Sequence, residues 1–397
     1  MAENKEKKVL NVPNLRFPEF EGEWQEKRLS DIADLSKGIG ISKDQLSADG
    51  EPCILYGELY TKYKSETIKE VISKTNIDNT KLVKSKANDV IIPCSGETAE
   101  EIATARCVLK DDVLLGGDLN IIRLHGYDGS FMSYQLNGKR KYDIAKVAQG
   151  VSVVHLYGEH LKNIKTINPG LNEQKKIANL LSLLDVRIST QNKIIEDLKK
   201  LKYAIIEREY TFKVQTHSHI GDFIEQNSNR NKDNIIQNVL SVSNRQGFIR
   251  QREQFEDRSI ASNDTSNYKI VARNDFAFNP ARINVGSIAR LTTFEKGIVS
   301  PMYICFHTKN SILPEYLSFY FETKQFCSEI QKRLEGSVRQ CLSYEGLCNI
   351  PFFPPVIEDQ RRIGKRLFTL VQKFNLEMTF LEMLQKQKTY LLRQMFI

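Results

Sequence analysis

From Ile177 the apolar positions recur at 181, 184, 188, 195, 198 and 205, and from Ile363 at 367, 370, 374, 381, 384, 391 and 395. Steps alternating between four and three residues, sustained over roughly four to five heptads, are the signature of a coiled-coil seam. The spacing predicts two helices of about 38 residues, beginning near Asn172 and Glu358. Polar residues interrupt both seams at corresponding places, Gln191 and Lys202 in the first, Glu377 and Lys388 in the second. Pro169 and Pro354-Pro355 stand just ahead of the helices, where proline can bound a helix but not continue one. The rest of the chain alternates short β-rich runs, DVIIPC (89–94), LNIIRL (119–124), NDFAFN (274–279) and MYICFH (302–307), with Gly, Asn and Ser turns. Two helical stretches, FMSYQLNGKRKYDIAKV (131–147) and PEYLSFYFETKQFCSEIQKRL (314–334), close these regions.

The pattern is a tandem duplication. Residues 150–177 overlay 336–363 without a gap, and Gly150/Gly336, Leu156/Leu342, Glu159/Glu345, Leu161/Leu347, Asn163/Asn349, Ile164/Ile350, Pro169/Pro355, Gln174/Gln360 and Ile177/Ile363 are identical. The same offset aligns Asn88-Asp89 with Asn274-Asp275, and a near-equal one aligns Asp31-Ile32 with Asp222-Phe223. The expected fold class is α+β: two mixed α/β globules and a pair of long coiled-coil helices, related by an internal pseudo-twofold repeat. The boundaries are 1–28 for an N-terminal arm, 29–150 for the first globule, 151–215 for the central repeat with its helix, 216–335 for the second globule and 336–397 for the C-terminal repeat. Equal length, equal register and matching polar breaks favour pairing of the helices with each other over packing of each on its own globule. Antiparallel pairing would place the globules at opposite ends of a rod ~55 Å long, at ~1.5 Å per residue.

Composition narrows the function classes. A chain of 397 residues with 41% hydrophobic and 27% charged content forms packed cores, and no apolar run approaches a membrane span. The start has lysines but no apolar region behind them, so no secretory signal is expected. Seven cysteines without a CxxC pair predict reduced thiols and a cytoplasmic location. His217-x-His219 has no cysteines at ligand spacing, so no metal site is expected. A net charge of +8 permits a polyanionic partner without requiring one.

The duplicated motif, G-x5-L-x2-E-x-L-x-N-I followed by P-x4-Q-[KR]-[KR]-I and heptads, resembles the specificity subunit of type I restriction–modification systems. The resemblance covers residues 13–397, with an opening, VPNLRFPEF ahead of Trp24, that fits the same family. It implies that the globules are target-recognition domains, each reading half of a split site in double-stranded DNA. It also implies that the helices separate them and dock two methyltransferase subunits, with restriction subunits in the full complex and no membrane partner. S-adenosylmethionine is then expected in the methyltransferase partner, and no cofactor in this chain. Inserting four residues just before Ile177 should move the first globule outward by ~6 Å and lengthen the recognised spacer by about one or two base pairs. A two-residue insertion, rotating the globule by ~200°, should abolish bipartite recognition. Methylation-site mapping checks both, and an unchanged spacer in the longer variant would show that the helices do not set the spacing.

Catalytic motifs are missing. There is no G-x4-G-K-[ST], Phe353-Pro354-Pro355 lacks the polar leader of an amino-methyltransferase motif, and Gly38-Ile39-Gly40 has no third glycine. Groove-reading chemistry is present. Residues 230–290 carry eight arginines and two lysines against six acids. Arginine's fork matches guanine O6/N7, and asparagine's amide matches adenine N6/N7. The candidates are Arg245, Asn279, Arg282, Asn284, Ser287 and Arg290, drawn from the loop 279–287, the cluster around 244–247 and the strand that follows. In the first globule Ser95, Glu97, Thr98, Thr104 and Arg106 follow DVIIPC at the corresponding place, and Lys62, Lys64 and Lys84 suit phosphates. Two alternatives carry other expectations. A stand-alone DNA methyltransferase with unrecognisable motifs would crosslink to labelled S-adenosylmethionine, and a coiled-coil assembly protein without nucleic acid would show no salt-dependent retention on DNA.

Overall fold

The computed structural model describes residues 11–150, 153–211, 218–244, 246–251, 264–336 and 340–397. The chain forms two compact units, residues 1–193 with 378–397, and residues 194–377.

In the first unit, one five-stranded sheet has the order Ala33–Lys37, Leu119–Leu124, Asp89–Pro93, Arg106–Val108, Thr67–Ile68. Its central strand Asp89–Pro93 is buried throughout, as the unbroken apolar run DVIIP requires of a strand covered on both faces. A second sheet runs Leu46–Ser47, Ser73–Thr75, Glu51–Ile54, Leu114–Leu115, Val83–Lys84. The helical stretch after these sheets is two helices, Gly129–Asn137 and Lys141–Val147. The first of them ends at Gly138, whose N–H makes the last helical bond, to the Tyr134 carbonyl. The opening of the long helix Leu171–Glu209 runs antiparallel to the close of the long helix Ile357–Gln394. Ile177 and Leu181 share a core with Met395 and Phe396, Asp185 pairs with Lys388, and Arg187 lies over Phe380.

In the second unit an antiparallel sheet has the order Ile224–Asn227, Ile304–Thr308, Phe276–Phe278, Ile288–Arg290. A hairpin, Leu240–Ser243 with Gly247–Arg250, and a pair, Lys269–Ala272 with Lys296–Val299, stand beside it. The stretch 314–334 is again two helices, Pro314–Tyr320 and Lys324–Gln331, and the Thr323 hydroxyl starts the second by accepting from the Phe326 N–H. The end of the first long helix runs antiparallel to the start of the second. Ile205 and Ile206 share a core with Ile363 and Leu367, Lys199 lies over Phe374, and Glu209 pairs with Arg366.

The repeat has physical causes. Gln174 and Gln360 are both buried at the head of a long helix. Gln174 Nε2 donates to the Pro169 carbonyl at 2.8 Å, and its Oε1 accepts from the Asp128 N–H that precedes the helix Gly129–Asn137. Gln360 repeats this with Pro355 and with the Leu313 N–H ahead of Pro314–Tyr320. One amide thus ties each long helix to its globule, and a residue that must both donate and accept while buried has few substitutes. Asn88 and Asn274 both take the left-handed conformation that asparagine tolerates. The next residue of each pair turns its carboxylate back to accept a backbone N–H, from Lys86 and from Ala272.

Candidate nucleic-acid interface

Three separate segments of the second unit converge. The Ser287 hydroxyl donates to the Val242 carbonyl at 3.3 Å, joining the loop 279–287 to the hairpin. The Tyr303 hydroxyl accepts from the Val242 N–H at 3.3 Å, joining the turn before Ile304–Thr308 to the same strand. Asn279 Nδ2 lies 3.9 Å from Met302 Sδ. The loop holds its shape through Asn279 and Ser287, which hydrogen-bond by backbone, and Gly286, which takes the φ of +88° that closes the turn Ile283–Val285. Gly286 faces Asn244, whose Cβ is 3.8 Å from where a Cβ on the glycine would stand, an ordinary contact distance.

The result is a polar tip bearing Asn244, Gln246, Asn279, Arg282 and Asn284, all exposed except the half-buried Asn279. The segments 240–250, 279–288 and 300–304 contain no acidic residue. Two clusters that sequence reading treated separately are therefore one surface. Arg245 lies outside the described residues. Two candidates point elsewhere. Ser287 is 4% exposed and spends its hydroxyl on the hairpin. Arg290 is half-buried and pairs with Glu315 at 3.3 Å in a cleft lined also by Gln360, Arg361 and Phe368. Met302, 62% exposed, and Val285, 53% exposed, are members of this surface that the sequence did not reveal. Met302 sits in a turn and not in the strand that MYICFH suggested.

The first unit gathers fewer of its candidates. Ser95 pairs with His155 in a short antiparallel bridge, and its carbonyl accepts from the Tyr60 hydroxyl at 2.9 Å. Lys64 Nζ donates to the Tyr60 backbone carbonyl, at the other end of that residue. Thr98 caps the turn Ala99–Ile102 by accepting from the Glu101 N–H, and Glu97 beside it is exposed. Thr104 is half-buried behind that turn. This loop carries Glu97, Glu100 and Glu101, so it lacks the positive field of the second unit's tip. Lys62 is held by the buried Glu58 at 2.6 Å, and Lys84 pairs with Glu51 at 3.3 Å in the other sheet.

Arg106 is buried, a correction to its candidate role as a base reader. Its guanidinium donates to the Tyr63 and Ala105 carbonyls. Burial lowers its pKa against the pull of Glu66 and Asp185. Those two acids share the Lys388 ammonium, at 2.6 Å each, and the Tyr134 hydroxyl donates to Asp185 at 2.6 Å. Two acids and two bases thus balance in the interior, which is the only way such groups are commonly buried.

The buried cysteines are poorly suited to nucleophilic chemistry. Burial pushes the Cys53 and Cys94 thiols up to about 11 and those of Cys107 and Cys305 up to about 12, away from the thiolate form a nucleophile needs. Among the described residues no three His, Cys, Asp or Glu side chains gather as metal ligands, and no helix is long and apolar enough to cross a membrane.

Residues 21–200 match the family model described as the type I restriction modification DNA specificity domain. The fold resembles the type I restriction–modification S subunit from M. genitalium, at a TM-score of 0.64 and 18% identity, over 97% of this chain and 99% of that one. Over the residues matched, this chain resembles the type I restriction–modification specificity subunits. A second solved structure, from work on complex assembly and conformational transition of the type I R-M system, aligns at a TM-score of 0.52 and 14% identity over 93% of this chain and 96% of that one. Among characterised sequences, the type I restriction enzyme MjaVIII specificity subunit of Methanocaldococcus jannaschii is 29% identical over 56% of this chain and 50% of its own length. The chain thus spans about half the length of that relative. The putative MjaX specificity subunit of the same organism is 22% identical over 96% of this chain and 94% of its own length.

Proposed function

We propose that this chain is the non-catalytic DNA-reading subunit of a type I restriction–modification complex, and that each unit reads one half of a bipartite site. The observation that carries the reading is the tip of the second unit, where three segments present amides and arginine without an acid. Asn244, Asn279 and Asn284 can pair with adenine edges and Arg282 with guanine. In the first unit the loop with Ser95, Glu97 and Thr98 takes the corresponding part, with Glu97 accepting from cytosine N4 and Lys64 and Lys84 on phosphates.

Large apolar side chains remain exposed on the long helices. In the first unit these are Leu183, Val186, Met383 and Tyr390, and in the second Leu201, Phe368 and Leu376. Exposed apolar side chains along a helix are candidate protein contacts, and they support docking of methyltransferase subunits that supply S-adenosylmethionine, with restriction subunits joining them. The salt dependence of DNA affinity tests the reading. Six or more phosphate contacts should reduce affinity by about a thousandfold between ~50 and ~200 mM salt. A flat response in filter binding or fluorescence anisotropy would contradict it.

A further inference from the structure

The tip of the second unit exposes two large apolar side chains among the polar groups of Asn244, Gln246, Arg282 and Asn284. Met302 stands 62% exposed and Val285 53% exposed. Neither fills a core, and exposing them in water is unfavourable unless something covers them. Their neighbours say what the cover is. Met302 Sδ lies 3.9 Å from Asn279 Nδ2, and Val285 belongs to the same loop as Arg282 and Asn284. The Asn279 amide is partly committed, since its Oδ1 accepts from the Ala281 N–H at 3.1 Å. A second lone pair on that oxygen and a second amide proton stay available.

An A·T pair presents its groups in the major groove in a fixed row: adenine N7 and N6, then thymine O4, then the thymine C5-methyl. An amide beside a thioether matches that row, with the amide over the adenine edge and the apolar sulfur and methyl over the thymine methyl. We propose that Asn279 and Met302 together read one A·T pair of the second half-site, Met302 by apolar contact with the thymine methyl, and that Val285 closes the same apolar patch. The proposal rests on the DNA-reading function proposed above and adds the identity of one base pair and the group that selects it. Thioether flexibility suits this task, because Met can follow a methyl whose position shifts with groove width.

The test removes the methyl from the DNA and the thioether from the protein. The recognised sequence is first read from methylation mapping, and each thymine of the second half-site is then replaced singly by deoxyuridine in a synthetic duplex. With the full chain, one such position should lose roughly fourfold in affinity, the factor one buried methylene-sized group is worth. Met302→Ala should show a similar loss on the thymine duplex and no further loss on the uracil one, while Asn279→Ala should relax the preference for adenine in the same pair. Val285→Thr should give a smaller loss with the same insensitivity to the methyl. Because Met302 is exposed, its truncation leaves the core intact, and an unchanged melting temperature checks this. Three results would overturn the proposal: no thymine at which deoxyuridine weakens binding, a Met302→Ala variant that keeps the whole deoxyuridine penalty, or a loss from Met302→Ala that is equal on all sequences. Absence of any salt-dependent or sequence-selective binding would instead remove the DNA-reading function itself.

Discussion

Replacing Lys388 by methionine should destabilise the first unit by about 3–5 kcal/mol, the cost of leaving buried charge without its partner. The ammonium sits between Glu66 and Asp185, and its side chain is 17% exposed while theirs are 10% and 7%. Methionine fills much of the same volume, so the loss reports charge and not a cavity. The corresponding position in the repeat is Lys202, which pairs with Glu322 at 2.6 Å, with side chains 28% and 45% exposed. Lys202→Met should cost no more than about 1 kcal/mol, the usual worth of an exposed ion pair. One sequence position in two copies thus gives two different outcomes, decided by burial.

The pH dependence follows from Glu66. Burial raises its folded-state pKa above the ordinary carboxylate value, against the lowering pull of Lys388. A carboxyl whose folded pKa is raised contributes stability that is full below the unfolded pKa and lost as pH rises through the folded one. Removing Lys388 takes away the lowering influence, so the raised pKa climbs further. The difference in melting temperature between wild type and Lys388→Met should therefore be largest near neutral pH and shrink as pH falls toward the ordinary carboxylate range. Lys388→Met combined with Glu66→Gln should recover part of the loss at neutral pH. Thermal unfolding followed by near-ultraviolet circular dichroism across that range measures both, and a pH-independent deficit would mean that the charges are not what the lysine holds.

The duplication was legible in sequence because it is imposed at single positions by buried geometry. Gln174 and Gln360 recur because each serves two backbone groups at once. The asparagines at 88 and 274 recur because the turn needs a left-handed residue there. The heptads were legible because a seam facing one partner repeats regularly. Orientation within loops was not. Arg106, Ser287 and Arg290 have the chemistry of DNA contacts, and their burial is fixed by Tyr63, Val242 and Glu315, which lie far away in sequence. Lys388 could be read only as a break in the seam, because Glu66 is 322 residues away. Met302 was hidden for the converse reason. Next to Tyr303 and Ile304 it reads as the start of a buried strand, and only the turn that lifts it out shows otherwise.

The largest functional effect should come from exchanging the second globule, residues 220–335, for that of a type I specificity subunit with a different recognised site. The segment carries the whole polar tip, including the hairpin, the loop 279–287 and the turn at Met302. It leaves in place the long helix Ile357–Gln394 and the Gln360 bond to the Pro355 carbonyl, while the Leu313 N–H that Gln360 also accepts is supplied by the donor backbone. Its own interior, built on Phe276, Phe278, Phe306 and Tyr316, travels with it except where it meets Ile205, Ile206, Tyr210, Leu342, Leu347, Ile350, Phe352, Ile363 and Leu367, so the donor residues facing these should be kept apolar and of similar size. Genome-wide mapping of methylated adenines in cells expressing the exchanged chain with the methyltransferase of the proposed complex is the most direct measurement of the central claim. Two separable readers predict that one half of the recognised site changes completely while the other half keeps every base. A change in both halves, or in neither, would contradict the assignment of one half-site to each unit.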